Sequence, residues 1–298
     1  MHKGWYQIAF ERELRDPLTL VRIGELPLVV VRRPHSVRVF AAVCPHRGAN
    51  LADGRLQDDQ IICPFHGYAI GLGESCPGEL KVPEYPSLSL GGMIFVLLSA
   101  QHDNEFAQVL WELDRSHYFV PGFSVEARVP PELVIENAFD RRHFQTVHQL
   151  GQDLGLKLSA NEPHLLAVRG QMPTAINSWL KLLTTEAVDT VDFFAQIFSP
   201  NICLTRLSVG ERGFHVITAA TPVGQDRSLI RVSVAGPPNE DGSPPKDELI
   251  RAMLRDSSTA LQQDIKVWEG LSPTVMPKYT ADDDLVLRYH QFCKSFST

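Results

Sequence analysis

Two short segments each combine a cysteine with a histidine and together predict a metal site. Residues 44–47 read Cys-Pro-His-Arg, and residues 63–66 read Cys-Pro-Phe-His. Each segment therefore supplies one thiol and one imidazole, and each is flanked by residues that favour turns. The candidate ligands are Cys44, His46, Cys63 and His66.

Two sulfurs and two imidazole nitrogens on matching loops suit either a zinc ion or an iron–sulfur cluster. The usual zinc pattern pairs Cys with Cys and His with His. Here each loop carries one residue of each type. That order favours a binuclear cluster in which two cysteines hold one iron and two histidines hold the other. A structural zinc site is the alternative.

A third segment combines an aspartate with two histidines, Asp140, His143 and His148, in the pattern Asp-x-x-His-x₄-His. At about 100° per residue of a helix, the three side chains fall within an arc of about 140°. The step between the histidines is too wide for ideal i,i+4 chelation, so we expect a bulge or a helix end between them if both bind one ion. Taken alone, such a segment is more often a solvated helix face than a set of metal ligands.

Two histidines leave a divalent ion under-coordinated, and a carboxylate would complete the 2-His-1-carboxylate arrangement of non-haem Fe(II) oxygenases. Asp264 is the best candidate because it lies beside an apolar helical stripe that includes Leu261 and Trp268. A carboxylate that faces a core is unfavourable unless it is paired or binds a metal. The alternative is an ordinary aspartate at the edge of a core helix. Weaker candidates are Asp189, Asp192 and Asp256.

The elements that must hold these groups divide the chain into two parts. The first 100 residues alternate short apolar runs with Gly, Pro and Asp, a rhythm that predicts many short strands in a sandwich or barrel. The polar stretch 101–115 places the domain boundary, giving domains 1–105 and 106–298. The predicted strands of the first part are 18–23, 26–31, 37–43, 60–63 and 93–98.

The second part mixes helices with strands. Residues 136–150 lack Pro and Gly and predict a helix, whereas 214–221 and 228–235 predict two strands joined by a turn. Apolar residues recur at helical spacing over 246–269, and Gly270 fits the end of that helix. We therefore predict an α+β fold, in which an all-β domain precedes a helix-grip-like domain with a long helix on an antiparallel sheet.

Composition and charge exclude several classes of protein. The 298 residues are 44% hydrophobic and 21% charged, which is typical of a globular chain. A net charge of −7 without a basic block argues against binding to nucleic acid or to an anionic membrane. The apolar runs are shorter than the about 20 residues of a membrane-spanning helix, and no signal peptide is evident. Five cysteines, an odd number, suggest reduced thiols and a cytoplasmic location.

The cysteine–histidine loops resemble the Rieske [2Fe–2S] motif. The neighbouring residues fit as well, with Pro-His-Arg-Gly-Ala-Asn-Leu at 45–51 and Pro-Phe-His-Gly-Tyr at 64–68. Respiratory Rieske proteins of high potential carry an additional Cys in each loop. Ala49 and Pro64 stand near those places here, so the cluster resembles the lower-potential type of ferredoxins and oxygenases.

With the Asp-x-x-His-x₄-His pattern and Gln-x-Asp-x₃-Trp at 262–268, the chain resembles the catalytic (alpha) subunit of Rieske non-haem iron oxygenases over nearly its whole length. The resemblance is closest to the homotrimeric branch with 3-ketosteroid 9α-hydroxylases, carbazole dioxygenase and cholesterol 7-desaturases. It implies that His143, His148 and Asp264 hold a mononuclear Fe(II) that uses O₂. It also implies that Asp140 bridges His143 to a cluster ligand, His66 of the partner subunit, while Asn137 supports the iron site or simply caps a helix.

The same resemblance implies a terminal oxygenase that hydroxylates a hydrophobic, ring-containing small molecule. It favours monooxygenation over cis-dihydroxylation and leaves dealkylation and desaturation open. No Gly-x-Gly-x-x-Gly fingerprint follows a strand, so electrons from NAD(P)H must arrive through a separate ferredoxin, flavin reductase or both. The alternative function is a Rieske-type electron-transfer protein with a non-catalytic second domain.

Overall fold

The chain folds into an all-β part followed by a part in which helices cover a large antiparallel sheet. The computed structural model describes residues 1–76, 78–174, 178–185, 187–272 and 274–297. Within these residues, no helix is both long and apolar enough to cross a membrane. The α+β architecture predicted from the sequence is confirmed.

The first part contains three small sheets, which the structure orders as β1-β11-β10, β2-β3-β4-β9 and β5-β6-β7-β8. The strand predictions are confirmed to within a few residues. In the described residues the strands are β1 (Trp5–Phe10), β2 (Leu18–Ile23), β3 (Leu26–Arg33), β4 (Ser36–Ala41), β5 (Arg55–Gln57), β6 (Gln60–Ile62), β7 (Ala69–Leu72), β8 (Lys81–Val82), β9 (Glu84–Tyr85), β10 (Ser87–Leu90) and β11 (Met93–Leu97).

Strand β3 is buried on both of its faces. Successive side chains of a strand point to opposite sides of the sheet. Accordingly, Val29 and Val31 pack in the cluster that contains Cys44 and Cys63. The intervening Val30 packs in a second cluster on the other side. The apolar run that looked like a buried strand in the sequence therefore supports the cysteine loops from beneath.

The second part is built on one seven-stranded antiparallel sheet, ordered β12-β18-β17-β16-β15-β14-β13. Its strands are β12 (Tyr118–Ala127), β13 (Lys157–Glu162), β14 (Leu165–Pro173), β15 (Thr190–Ser199), β16 (Ile202–Val209), β17 (Arg212–Gly224) and β18 (Arg227–Gly236). The described helices are α1 (Phe106–Asp114), α2 (Pro131–Glu136), α3 (Arg141–Thr146), α4 (Leu180–Leu183), α5 (Asp247–Trp268) and α6 (Asp284–Lys294).

Helix α5 lies on this sheet, as its apolar spacing predicts. It buries Met253, Leu261 and Trp268 in the same core as Val232 and Val234 of β18. The helix begins one residue later and ends one residue earlier than the range 246–269 expected from the sequence. Its position places Asp264, which lies beside the apolar stripe, against the interior of the second part.

The prediction of one helix over 136–150 is wrong. Helix α2 ends at Glu136, a 3₁₀ turn covers Asn137–Phe139, and Asp140 is extended, with φ −94° and ψ 109°. Helix α3 then ends at Thr146. Aspartate is favoured as an N-cap residue, where its backbone is non-helical. Asp140 therefore does not share a helix face with the histidines, but the helix end expected between His143 and His148 is confirmed.

The polar stretch 101–115, predicted as a connection, contains helix α1. Its apolar residues Phe106, Leu110 and Leu113 recur at helical spacing and are buried. They join a core that includes Trp5 of β1 and Phe198 of β15. The two parts of the chain thus share one hydrophobic cluster, and the boundary between 105 and 106 stays a prediction.

Polar side chains also connect the two parts of the chain. Arg231 of β18 is almost fully buried and pairs with Glu13 at 3.0 Å between Nη2 and Oε2. The Gln7 carbonyl accepts hydrogen bonds from Arg231 at 3.2 Å and from the Thr221 hydroxyl at 2.7 Å. Glu13 is exposed, so the burial cost falls on Arg231, whose guanidinium would lose its carboxylate partner if the two parts separated locally.

Phe106 tests the shared core. Phe106→Ala removes a ring that lies 5.6 Å from Trp5, 5.3 Å from Phe95 and 6.1 Å from Phe198, measured between ring centroids. We expect the free energy of unfolding to fall by about 3–5 kcal/mol, as for other large core truncations. The matched control is Trp111→Ala on the same helix, because Trp111 is 52% exposed and should change stability by no more than about 0.5 kcal/mol. Urea unfolding followed by circular dichroism measures both; equal losses would contradict the shared core.

Candidate metal centres

Two loops of the same shape carry the cysteines of the first site. In each loop the glycine four residues after the cysteine donates its N–H to the cysteine carbonyl, at 2.9 Å for Gly48 to Cys44 and 3.1 Å for Gly67 to Cys63. Both glycines have positive φ, 76° and 71°, a conformation that a side chain would strain. The matching turns place the two cysteines in equivalent positions, at the start of their loops.

The sulfurs of these loops lie inside and the imidazoles lie outside. Cys44 and Cys63 are each 2% exposed, whereas His46 and His66 are exposed and their ring centroids are 4.8 Å apart. The two predicted histidine ligands are therefore adjacent, and the two predicted cysteine ligands pack in one hydrophobic cluster. A cluster held by these residues would have one buried, sulfur-ligated iron and one outer iron whose histidines face solvent.

The environment of Cys63 favours a thiolate. Burial raises the pKa of its thiol, but hydrogen bonds from the Phe65 backbone, the Cys44 side chain and the His66 backbone lower it. The net pKa lies below the ordinary value for cysteine. Because the thiolate is the form that binds metal, these hydrogen bonds prepare the site for ligation.

The second site gathers three side chains from two distant stretches of sequence. His143 comes from α3, His148 from the segment that follows α3, and Asp264 from α5. Asp264 Oδ1 lies 3.0 Å from His143 Nε2 and 3.5 Å from His148 Nε2, and the two Nε2 atoms are 3.1 Å apart. Their side chains are 8%, 11% and 12% exposed for His143, His148 and Asp264.

The three residues fit a divalent metal ion. One potential ligand atom from each lies within 4.8 Å of the others. Asp264 Oδ1 is fully covered, and among the described residues it accepts no hydrogen bond of good geometry despite the nearby imidazoles. An unsatisfied buried carboxylate oxygen is costly, and an ion at the centre of the three atoms would satisfy it. The donor set is that of a non-haem iron site.

His148 is held from both sides. Its Nδ1 lies 2.9 Å from the Gln263 side-chain oxygen, while its Nε2 faces Asp264. Burial lowers the pKa of His148, and Asp264 and Gln263 only partly oppose that effect. The imidazole is therefore kept in the neutral form that binds metals. Sequence reasoning did not single out Gln263; its one signal is its place next to Asp264.

Asp140 contacts His143 through the backbone. Its Oδ1 accepts hydrogen bonds from the N–H groups of Arg142 at 2.9 Å and His143 at 3.1 Å, and so caps α3. The neighbouring arginines are paired with carboxylates elsewhere: Arg141 with Asp284, and Arg142 with Asp282. Asp140 is thus fixed at the start of the helix that carries His143, and its charge is not neutralised by those two arginines.

Asn137 borders the same site. It lines the cavity beside His143 and Asp264. Its side-chain nitrogen is buried and has no hydrogen-bond partner among the residues that the structure describes. That donor is available to a group in the cavity, which favours a role at the iron site over a capping role.

A cavity of about 180 Å³ opens over the three candidate ligands. Its walls are mainly apolar, with a few hydroxyl groups. Apolar residues that line it include Ile135, Phe144, Phe193, Val216, Leu261 and Trp268. The polar lining residues besides Asn137 and the candidate ligands are Thr205, Thr218 and Ser257.

A second cavity, of about 290 Å³, adjoins the first. The two share Phe144, His148, Ser257 and Ala260 as lining residues. Strands β16 and β17 line the first cavity, whereas Phe198 of β15 packs in the shared core. The geometry is that of an apolar chamber that ends at a buried metal site.

Comparison with known proteins assigns both parts of the chain. Residues 4–87 match the family described as Rieske [2Fe-2S] domain. Residues 97–296 match the 3-ketosteroid 9alpha-hydroxylase C-terminal domain. The first match excludes the zinc alternative for the cysteine–histidine loops, and the two matches confirm the resemblance inferred from the motifs.

Similar proteins agree with these matches. The chain is 32% identical over 180 residues to cholesterol 7-desaturase nvd of Xenopus laevis, covering 52% of this chain and 38% of that relative. It is 22% identical over 258 residues to the oxygenase component of dicamba O-demethylase from Stenotrophomonas maltophilia, covering 74% of this chain and 75% of the relative.

A solved structure of dicamba monooxygenase bound to 3,6-dichlorosalicylic acid superposes with a TM-score of 0.76 at 18% identity. The superposition covers 99% of this chain and 97% of that one. It shows that the fold of the two parts is that of a known oxygenase. Since the two families together span residues 4–87 and 97–296, the chain belongs to the terminal components of the Rieske non-haem iron oxygenases, with a catalytic domain of the 3-ketosteroid 9α-hydroxylase type.

Proposed function

We propose that this enzyme hydroxylates a hydrophobic, ring-containing small molecule at an iron held by His143, His148 and Asp264. The observation that carries the proposal is the convergence of these three side chains at the end of an apolar cavity. Fe(II) bound there would activate O₂ with electrons from a cluster held by Cys44, His46, Cys63 and His66. The chain itself supplies the ligands, excludes bulk water and positions the substrate.

The lining of the two cavities supports a neutral substrate. Neither cavity is bordered by a Lys or Arg among the described residues, so no cation is placed to receive a substrate carboxylate. The rings of Phe144 and Phe193, 5.3 Å apart, form an aromatic wall beside the metal site. Thr205 and Thr218 offer hydroxyl groups for one polar substituent.

The reaction that we propose is monooxygenation rather than cis-dihydroxylation. Similar proteins are named as an O-demethylase, a 7-desaturase and a 9-alpha-monooxygenase. Dealkylation and desaturation of the substrate are therefore compatible with the same site. One relative is called an oxygenase component, which supports a separate ferredoxin or flavin reductase that passes electrons from NAD(P)H in the cytoplasm.

We also propose that the working unit is a homotrimer in which electrons pass between subunits. The outer imidazoles His46 and His66 are exposed, and Phe65 and Tyr68 beside them are 57% and 48% exposed. Exposed apolar residues around a polar centre are typical of a docking surface. In this proposal Asp140 receives His66 of the partner subunit, so that its carboxylate links a cluster ligand to the helix of His143.

The alternative function is an electron-transfer protein with a non-catalytic second domain. Such a protein would contain less iron than an oxygenase. It requires only the two irons of the [2Fe–2S] cluster, whereas the oxygenase requires one more iron at the second site. Iron and acid-labile sulfide analysis of the purified chain distinguishes the two functions.

His143 tests the iron site. We expect His143→Ala to keep the visible spectrum of the Rieske cluster, lose the additional iron and form no product from a panel of neutral ring compounds with O₂ and a reductant. The physical reason is that one ligand of three is removed from an under-coordinated ion. The matched control is His164→Ala, since His164 is exposed and absent from the cavity lining. Retention of the third iron and of turnover in His143→Ala would refute the ligand assignment.

Asp140 tests the electron path separately from the local fold. Asparagine caps helices about as well as aspartate, so Asp140→Asn should preserve the hydrogen bonds to the Arg142 and His143 N–H groups. We expect both metal centres to remain, and reoxidation of the reduced cluster by O₂ and substrate to slow by about 10–100-fold. Stopped-flow absorbance of the cluster measures this rate.

Asp140→Ala provides the comparison for that variant, because it removes both the charge and the cap and should cost about 1 kcal/mol of stability as well. If Asp140→Asn reoxidises at the wild-type rate while it retains both metal centres, the proposed bridging role is wrong.

A further inference from the structure

We propose that Gln263 is a positioning residue that fixes the tautomer and orientation of His148. The proposal rests on the proposed function of His148 as an iron ligand. It concerns a residue that supplies no ligand atom itself and acts only through the imidazole that it holds.

Helix α5 contacts both nitrogens of the same ring. Gln263 and Asp264 are consecutive, so their side chains leave the helix about 100° apart. The Gln263 oxygen lies 2.9 Å from His148 Nδ1, and Asp264 Oδ1 lies 3.5 Å from His148 Nε2. One turn of a well-packed helix therefore contacts both ends of an imidazole that lies beyond the end of α3.

The chemistry of the amide selects one tautomer. A neutral imidazole carries one proton, and the Gln263 oxygen can only accept a hydrogen bond. The proton must therefore reside on Nδ1, which leaves the lone pair of Nε2 directed at Asp264 and His143. The reversed amide would donate to Nδ1 and place the proton on Nε2, where it would block ligation.

The contact between Gln263 and His148 Nδ1 is partly shielded from solvent. The residue is half-buried and lines the second cavity together with His148. Because the amide is neutral, it orients the ring without adding a charge next to Asp264. Histidines that bind metals commonly donate their other N–H to a carboxylate or carbonyl, and losing that partner typically lowers metal affinity 10–100-fold. In this chain a side-chain amide fills the place.

The test measures Fe(II) affinity, independently of turnover. The mononuclear iron is removed from the cluster-containing protein with a chelator, Fe(II) is added back, and the iron-to-sulfide ratio is followed. We expect Gln263→Leu to bind Fe(II) about 10–100-fold more weakly than the wild type. We expect Gln263→Glu, which keeps an acceptor oxygen, to bind close to the wild-type affinity.

The matched control is Gln262→Leu. Gln262 is the exposed neighbour on the same helix, and the same substitution there should leave Fe(II) affinity unchanged. Gln263→Ala, a second variant without an acceptor, keeps good helix propensity and must show the same loss as Gln263→Leu. The thermal midpoint of each iron-free variant checks that the fold is retained.

The outcomes separate this inference from the function on which it rests. Wild-type affinity in Gln263→Leu or Gln263→Ala, with the third iron lost in His148→Ala, would overturn the role of Gln263 alone. An equal loss in Gln263→Glu would also overturn it, since packing and not the acceptor would then matter. Retention of the third iron in His148→Ala would instead overturn the ligand assignment.

Discussion

The second part of the chain depends on how it holds one buried carboxylate opposite two imidazoles. Asp264 faces an apolar cavity, where an ionised oxygen without a partner is unstable. Helix α5 can present it there because Leu261 and Trp268 anchor the helix on the sheet on either side. The cap at Asp140 fixes α3, and α3 brings His143 to within 3.0 Å of that carboxylate. Helices α3 and α5, which flank the cavity, are thus positioned so that the Asp264 carboxylate lies next to the imidazoles.

The first part of the chain arranges its candidate ligands differently. Its cysteines are buried against the alternating valines of β3, while its histidines stay at the surface. Hydrogen bonds from the loop backbone favour the thiolate form of Cys63. The second site buries its candidate ligands in an apolar interior, whereas the first exposes its two histidines, which suits a centre whose imidazoles face outward.

Much of this arrangement could be predicted from residue types and spacing. The mixed order of Cys and His identified the cluster loops, and the apolar periodicity located α5 to within a residue at each end. The break before Asp140 was missed because a stretch without Pro or Gly can still be interrupted by a capping aspartate. Helix α1 was missed because 101–115 opens with five polar residues, although six of the nine residues from Phe106 to Asp114 are apolar and the three buried ones keep helical spacing. The sequence motif at 262–268 names Gln262, and the role of Gln263 becomes visible only through its contact with His148.

The core shared by the two parts also bears on how the enzyme is made. The cluster that surrounds Cys44 and Cys63 is complete within residues 18–82. The shared core needs Phe198, Ile217 and Ala235 from the later sheet. During synthesis from the N-terminus, the residues around Cys44 and Cys63 are therefore all present before the sheet strands that cover Trp5 and Phe95. A chain that ended before β15 would therefore contain the apolar residues around its cysteines but would leave part of the apolar face of Trp5 and Phe95 exposed to solvent.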